Sequence, residues 1–556
     1  MANREETLAA LTHSSGPFKL VADPASGSPP LRVYANCSGT LRNLLIASAA
    51  NGDKDFLVYQ DERVSYTQHL GQVARLARWL QGQEVRKGDR VAIGMRNYPE
   101  WSVAFFACQA IGAIAVMLNA WWTGRELVYG LKDAGCCIAV LDTERMQRLV
   151  GHHDKLSELT FLITRDDAGE HKGHHWHDVL ASIANDTLPE VDISASDYAT
   201  IMYTSGTTGF PKGALHTQRN HITNIQNSLL AQALARSLAA TATPEALPTT
   251  PSALQTFPFF HIGGISGLYI ALATGAKLVT MYKWDTDQAL SLIEEERLLS
   301  WSAVPTLVRQ MLEHPRAASA LASVASIASG GAPVPEDLIN TMGTLFNARV
   351  APGNGYGATE TTSAIIVNGG TDYYARPRSV GRPAPTVDVR IVDDAGNDLS
   401  LDTIGELWVR GPNIFAGYWQ NPQATDAAFD NGWFKTGDLG YVDNEGFYYV
   451  VDRKKDVIIR AGENVYCAEV EGVLHTHPGV LDVALIGLPH PSLGEEVAAV
   501  VELKPGLSVS EADLQAHVAK QLAHYNVPSS VFFVDTPLPR TATGKILKRE
   551  LKERYS

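Results

Sequence analysis

The chain has 556 residues, 45% hydrophobic and 19% charged, with a net charge of −14 from 46 Lys+Arg against 60 Asp+Glu. That length needs several structural units, and the composition is that of a globular chain. The acidic balance argues against nucleic acid as a partner and against a broadly cationic membrane-binding face. It leaves a local site free to hold an anion.

Cysteines 37, 108, 136, 137 and 467 form no CxxC pair and are odd in number, so buried thiols in a reducing, cytoplasmic setting are expected rather than a disulfide framework. The amino-terminal stretch lacks the apolar core of a secretory signal. Segment 103–118 is short for a span and 262–281 is interrupted by four glycines, so both are expected as buried core elements, with no integral membrane segment.

In chain order, the Pro/Ser-rich residues 1–35 are expected to form a loose lead-in. An amphipathic pattern begins at Leu41, 55–66 has the alternation of a strand hairpin, and 67–81 has helical spacing. Strands are predicted at 90–95, 114–118 and 138–142, with helices at 101–111 and 126–133 between them. This rhythm implies a parallel, doubly wound sheet. The histidine-rich 171–177 lacks an accompanying carboxylate or cysteine framework and is expected as a solvated loop. The Ala/Thr/Pro-rich 235–253 is expected as a surface connection. After Asn444 the pattern changes: 456–556 predicts β–α–β–β–α–β, a small α+β domain joined at 452–456.

The chain carries the run Tyr203-Thr204-Ser205-Gly206-Thr207-Thr208-Gly209-Phe210-Pro211-Lys212-Gly213. Glycines let backbone N–H groups approach an anion, the hydroxyls add donors and Lys212 adds a charge, all suited to a polyphosphate. It is not a Walker A loop, because Gly213 stands where that pattern has Ser or Thr. Further along come Pro258-Phe-Phe-His-Ile-Gly-Gly, Ser329-Gly330-Gly331-Ala332, Gly355-Tyr356-Gly357-Ala358-Thr359-Glu360, Thr436-Gly437-Asp438, Arg453-Lys-Lys-Asp, and Pro539-Arg-Thr-Ala-Thr-Gly-Lys545.

In this order the motifs resemble those of the adenylate-forming superfamily, most closely its acyl-CoA synthetase branch, and the resemblance covers nearly the whole chain. It implies a large domain (1–451) of doubly wound sheets with a β-barrel-like subdomain, a hinge (452–456), and a small mobile α+β domain (457–556). The implied activity is an acid–CoA ligase: carboxylic acid and ATP give acyl-AMP and pyrophosphate, then coenzyme A gives acyl-CoA and AMP. The resemblance also implies site roles. Thr204, Ser205, Gly206, Thr207, Thr208, Gly209 and Lys212 would hold phosphates. Gly331, Ala332, Gly355, Tyr356 and Gly357 would form the nucleotide pocket, with Tyr356 facing adenine and Thr359 donating to the α-phosphate. Glu360 would ligate Mg²⁺, while Asp438 and Arg453 would reach the ribose. Phe260, His261 and Gly330 would line the acyl pocket, Lys455 would be the pivot, Gly462 would let the pantetheine arm pass, and Lys545 would be the catalytic lysine. Where the superfamily commonly has proline, this chain has Cys467.

The expected partners are therefore the acid, ATP and CoA, on a monomer or homodimer. Phe259-Phe260-His261 carries no acid to pair an α-ammonium, which disfavours an amino-acid substrate. An enzyme loading a carrier protein, a luciferase-type oxidase and a nucleotide-binding pseudoenzyme are the alternatives. The last would be expected to have lost one of Lys212, Glu360, Asp438 or Lys545, and all four stand.

Overall fold

A computed structural model describes residues 4–166, 169, 171–204, 211–239, 250–541 and 544–556. Two large sheets carry the body. The eight-stranded one runs, in spatial order, Gly417–Tyr418, Lys212–Thr217, Tyr198–Thr204, Ile114–Met117, Arg90–Gly94, Ile138–Asp142, Thr160–Thr164, His174–His175. The nine-stranded one runs Arg382–Pro383, Ser363–Gly369, Ala351–Ala358, Ser326–Gly330, Ser300–Ala303, Ser252–Gln255, Lys277–Thr280, Asp55–Tyr59, Glu62–Ser65. Neighbours from Tyr198–Thr204 to His174–His175, and from Ala351–Ala358 to Asp55–Tyr59, are parallel, as the alternating strand–helix rhythm requires.

The two apolar stretches are core. Every residue of helix Pro99–Ile111 is buried. Helix Ile262–Thr274 joins it in a cluster that takes Phe56, Leu57 and Leu278 from one sheet and Val91, Ile93, Ala115 and Met117 from the other. No helix among the described residues is long and apolar enough to cross a membrane. All five cysteines are free.

Two smaller sheets follow. Strands Asp388–Val392, Gly405–Arg410, Trp433–Val442 and Phe429–Asp430, with Tyr448–Arg453 on the far side of Trp433–Val442, form the antiparallel barrel-like unit around Leu407, Val409, Phe415 and Phe434. The carboxy-terminal sheet runs Glu463–Val465, Ile458–Arg460, Gly494–Leu503, Val480–His490, with Ser530–Val534 parallel to Gly494–Leu503. Its strands are buried on both faces: Val483, Leu485, Val497, Ala499 and Val501 meet helices Cys467–His475 and Glu511–Ala519. Ala484, Ile486, Ala498 and Val500 meet Leu551 of helix Lys548–Tyr555. Period-2 alternation within an uninterrupted apolar run gives this two-sided packing.

Several expectations need correction. Of residues 1–35, expected as a loose lead-in, the described residues 4–35 are held by defined contacts. Helix Arg4–Thr12 packs along helix Gln218–Ala239, and Leu20–Asp23 pairs with Leu31–Tyr34. The hairpin is pinned by Tyr34, whose hydroxyl donates to Asn227 (2.6 Å), and by the Arg219–Asp23 ion pair (2.6 Å). Four-residue strands among prolines and serines are too short to leave a periodic signal. The histidine-rich segment is not wholly a solvated loop, since His174–His175 forms an edge strand and Trp176 is buried at the start of helix Trp176–Ser182. Of 235–253, the first five residues finish helix Gln218–Ala239 and Ser252 opens a strand, while 240–249 lie outside the described residues. The carboxy-terminal unit gains strand Glu463–Val465 and helix Lys548–Tyr555, a polar helix that buries only Leu551.

Candidate active site

In parallel α/β sheets ligands collect outside the carboxyl ends of the strands. Thr204 and Gly330 each end such a strand, and Thr256–His261 and Val304 each follow one. Ser205, Gly206, Thr207, Thr208 and Gly209 lie outside the described residues. Their two anchors are in place: Thr204 is opposite Lys212 in register, and its hydroxyl donates to the Lys212 carbonyl at 3.4 Å.

Lys212 is connected to Glu360 through a residue without a motif signal. The Lys212 ammonium lies 4.3 Å from the Tyr418 ring centroid, and the Tyr418 hydroxyl donates to Glu360 Oε1 at 2.9 Å. Tyr418 holds this position because Gly417–Tyr418 pairs with Lys212–Thr217. The Glu360 carbonyl accepts from Phe415 N–H (2.9 Å), and the Thr359 carbonyl accepts from His216 Nε2 (2.8 Å). Because a carbonyl can only accept, His216 carries its proton on Nε2 and takes the Thr200 hydroxyl at Nδ1, 3.2 Å away. Burial pushes its pKa down to about 4, so this brace stays neutral. Gly357 is required by close approach: a Cβ there would lie 2.0 Å from the Ser363 carbonyl oxygen on the paired strand.

Tyr356 donates its hydroxyl to Asp438 Oδ2 at 2.7 Å, and Arg453 Nε lies 3.5 Å from Asp438 Oδ1. Asp438 and Arg453 are opposite each other in neighbouring strands, so sheet register brings them together. Lys545 enters the same group from the carboxy-terminal unit. It is half-buried, and burial first, then the Arg453 charge, push its pKa down to about 8, against the upward pull of Asp438 and Glu360. Burial likewise holds Lys455 below its ordinary value.

The segment carrying Lys545 is tightly tied. Thr541 N–H donates to the Lys545 carbonyl (2.7 Å), Lys545 N–H to the Thr541 hydroxyl (3.1 Å), and Arg540 Nη1 to the Gly544 carbonyl. Arg540 also pairs with Asp482.

Beside Lys545 opens an apolar wall. His261 caps helix Ile262–Thr274 by accepting from Gly263 N–H (3.2 Å), and its ring stacks on Phe257 with centroids 6.3 Å apart. Burial first, and the Lys545 charge second, push His261 down to about 4. A Cβ on Gly331 would lie 3.7 Å from both Phe257 and Val304, and one on Gly544 would lie 3.1 Å from Val304. Gly330 is opposite Gly355 in register. Asn97 fixes the wall, accepting from Phe259 N–H (2.8 Å) and donating to the Phe257 carbonyl (3.0 Å). Phe260 turns from this point to the Trp121 ring, 5.5 Å away. Phe257 and Val304 therefore border Gly331, and Val304 borders Gly544.

Ala332 follows Gly331 at the end of strand Ser326–Gly330. Gly462 lies elsewhere, at the exposed tip of the hairpin Ile458–Arg460/Glu463–Val465, where Ala461 and Gly462 both have positive φ, +52° and +89°. Two such residues make a primed turn, which favours glycine. Tyr418, His216, Asn97, Phe257, Val304 and Arg540 also shape the site. None belongs to a phosphate- or nucleotide-type pattern, although Phe257 directly precedes one motif and Arg540 lies inside another.

Among the described residues no group of three or more His, Cys, Asp or Glu could hold a metal by itself. Glu360 offers a hard oxygen ligand steadied by Tyr418, which fits Mg²⁺ in its usual role as an ion shared between one carboxylate and substrate phosphates.

A two-part α/β body whose strand ends gather phosphate-binding, carboxylate and lysine groups around an apolar wall is the architecture of an adenylate-forming enzyme. Residues 46–419 match the AMP-binding enzyme family and residues 469–545 match the AMP-binding enzyme C-terminal domain; the chain belongs to this family. It is 35% identical over 495 residues to a feruloyl-CoA synthase of Amycolatopsis sp, covering 88% of this chain and 94% of that one. It is also 35% identical over 505 residues to the long-chain-fatty-acid–CoA ligase FadD13 of Mycobacterium tuberculosis, covering 89% and 94%. The structure of o-succinylbenzoate CoA synthetase from Bacillus subtilis, solved with its acyl-adenylate intermediate, superposes with a TM-score of 0.76 at 30% identity, covering 92% of this chain and 97% of that one. The chain is an AMP-forming acid–CoA ligase, using ATP to make an acyl-adenylate and CoA to make the thioester.

Proposed function

We propose that the acid it activates carries an uncharged aromatic or long apolar acyl group. The observation that carries this reading is the wall of Phe257 and neutral His261 against Gly331, with the Lys545 ammonium at its mouth. Phe257, neutral His261 and Gly331 offer a second carboxylate on the acyl group no cation of their own. Relatives named for feruloyl, indoleacetate and long-chain fatty acyl substrates fall in this range, whereas a 33% identical one is named for 2-succinylbenzoate, which has a second carboxylate.

Activation requires a carboxylate oxygen to bond to the α-phosphorus of ATP while the bond to the β-phosphate oxygen breaks and pyrophosphate leaves. Two anions must meet, and Lys545 supplies positive charge between them; loss of such a group costs on the order of 10²–10³ in rate. Lys212 and the 204–209 loop hold the departing phosphates, Thr359 donates to the α-phosphate, Tyr356 faces adenine, and Asp438 with Arg453 takes the ribose hydroxyls. Glu360 would hold Mg²⁺, which adds charge neutralisation at the phosphates. The CoA sulfur then bonds to the acyl carbon, its proton is lost, and AMP leaves with the ester oxygen.

In this reading residues 1–451 form the large domain and 457–556 the small one. The segment 452–456 is the hinge with Lys455 as pivot. The small domain turns between half-reactions, withdrawing Lys545 and presenting Gly462 to the pantetheine arm. The free thiols support a reducing, cytoplasmic setting.

Pyrophosphate release across hydroxycinnamic, arylacetic, fatty and dicarboxylic acids, with and without CoA, tests the reading. Aromatic or fatty acids should give AMP and a CoA thioester. Preference for a dicarboxylic acid would overturn the neutral pocket, and ADP with an acyl phosphate would overturn the chemistry.

A further inference from the structure

At the junction between the two units lies a buried charged cluster that the proposed chemistry does not use. Asp452, 9% exposed, is the first residue of the 452–456 hinge, but it lies ahead of the Lys455 pivot and is paired with the body, on strand Tyr448–Arg453 opposite Leu439 of Trp433–Val442. Cys467, 1% exposed, is the first residue of helix Cys467–His475 in the carboxy-terminal unit. The first N–H groups of a helix have no partner within it and must find one outside. The residue before this helix, Tyr466, supplies no side-chain cap. Asp452 does so from across the junction, its Oδ2 accepting from Cys467 N–H while Oδ1 accepts from Arg453 N–H at 2.7 Å.

Two more contacts close the cluster. Cys467 Sγ donates to the Asp456 carbonyl at 3.1 Å, tying the same residue to the turn that joins the units. Lys548 Nζ lies 2.7 Å from Glu471 Oε1, which also accepts from Leu485 N–H at 2.7 Å. Burial disfavours the Lys548 charge, but Glu471, Cys467 and Asp452 outweigh that and hold it above its ordinary value. Burial raises Asp452, with the Lys548 charge opposing. Lys548 opens the last helix, three residues after Lys545.

We propose that Asp452 is a positioning residue for adenylation: from the body side of the pivot it caps the small-domain helix, fixing the orientation in which Lys545 reaches the phosphate site. Of the four side chains, Cys467, Glu471 and Lys548 all belong to the small domain and move together. Only Asp452, ahead of the pivot, is paired with the body sheet, so its contact with Cys467 exists in one orientation and breaks when the small domain turns. A charged cap facing a helix N-terminus is favoured by the helix dipole as well as by the hydrogen bond. The inference rests on the two-orientation reading above.

The test is single-turnover kinetics of each half-reaction: pyrophosphate release with acid and ATP, and thioester formation from supplied acyl-AMP and CoA. Loss of a cap is worth a factor of roughly 2–30. Asp452→Ala should slow adenylation by about that much and leave thioester formation from acyl-AMP unchanged or faster, with Asp452→Asn intermediate because its amide oxygen still accepts. Cys467→Pro removes the N–H donor at a helix position that tolerates proline, after an extended Tyr466 (φ −85°, ψ 113°), and should behave like Asp452→Ala. Cys467→Ala keeps the N–H and should not. Slowing of both half-reactions alike, slowing of neither, or equal behaviour of the two Cys467 variants would overturn the proposal. Lys545→Ala is run alongside. If it separates the half-reactions and Asp452→Ala does not, only this inference fails; if Lys545→Ala slows both equally, the two-orientation reading fails and takes the inference with it.

Discussion

The role proposed for Lys545 depends on opposing influences on its charge. Burial and the Arg453 charge favour a neutral amine, Asp438 and Glu360 favour an ammonium, and the balance is a pKa of about 8 against 10.5 for a free lysine. At pH 7 the ammonium outnumbers the amine about ten to one. The charged form is the one the carboxylate and α-phosphate need, so activity is present below the depressed pKa and lost as pH rises through it. Because kcat/KM reports the free enzyme, kcat/KM for ATP in the adenylation step should fall above about pH 8, approaching tenfold per unit. Lys545→Arg, charged throughout, should lower the maximum but remove that descent. A profile for the unmodified enzyme that stays flat to pH 9.5 would refute the assignment. His216 and His261, both pushed down to about 4, should contribute no inflection between pH 5.5 and 9.

At the scale of elements, the strand ends and turns do the positioning, and they differ in how visible they are in the sequence. The doubly wound pattern was legible because its helices and strands are long, apolar and regularly spaced, as at 90–142. The candidate site residues were named from the resemblance of their motifs to the adenylate-forming superfamily, and several of those motifs sit at strand ends. Tyr418 and His216 were not, because a two-residue strand and a buried histidine act only through partners distant in sequence, Glu360 and Thr359. The amino-terminal hairpin was hidden for a related reason: its stability comes from Asn227 and Arg219, far along the chain, not from its own composition. Arg540 lies inside a motif, yet only the structure shows its grip on the Gly544 carbonyl and Asp482. A hydrogen bond from a charged donor contributes about 1.5–3 kcal/mol, so Arg540→Ala should slow adenylation roughly 10- to 100-fold if the loss falls on placing Lys545. Arg540→Lys should not restore the rate, since a single ammonium cannot serve carbonyl and carboxylate in the geometry of a guanidinium fork. Full activity in either variant would show that the loop is held by its Thr541 bonds alone.

For the whole molecule, Lys545 stands within reach of the Asp438, Arg453 and Glu360 charges, the arrangement the proposed adenylation step uses. If thioester formation needs a different one, fixing this arrangement should separate the two activities in a single protein. The structure offers a place to fix it: a Cβ built on Gly544 lies 3.6 Å from the Val304 Cβ, within the range spanned by a disulfide. Val304 follows a body strand and Gly544 precedes Lys545, so a bond between Val304→Cys and Gly544→Cys would clamp the small domain to the body. Gly544 has φ +82°, and a side chain there costs about 1–2 kcal/mol, so the reduced double variant is the reference. Cys37 and Cys137, the exposed native thiols, should be replaced first. Oxidation should leave one round of pyrophosphate release within about threefold of the reduced protein, because chemistry in the clamped state is unhindered, while thioester formation from supplied acyl-AMP and CoA should nearly cease, since rigid-body turning gates it. Reductant should restore it. Thioester formation at the reduced rate in fully oxidised protein would mean that both half-reactions run in one arrangement, and that the hinge at 452–456 has no part in the cycle.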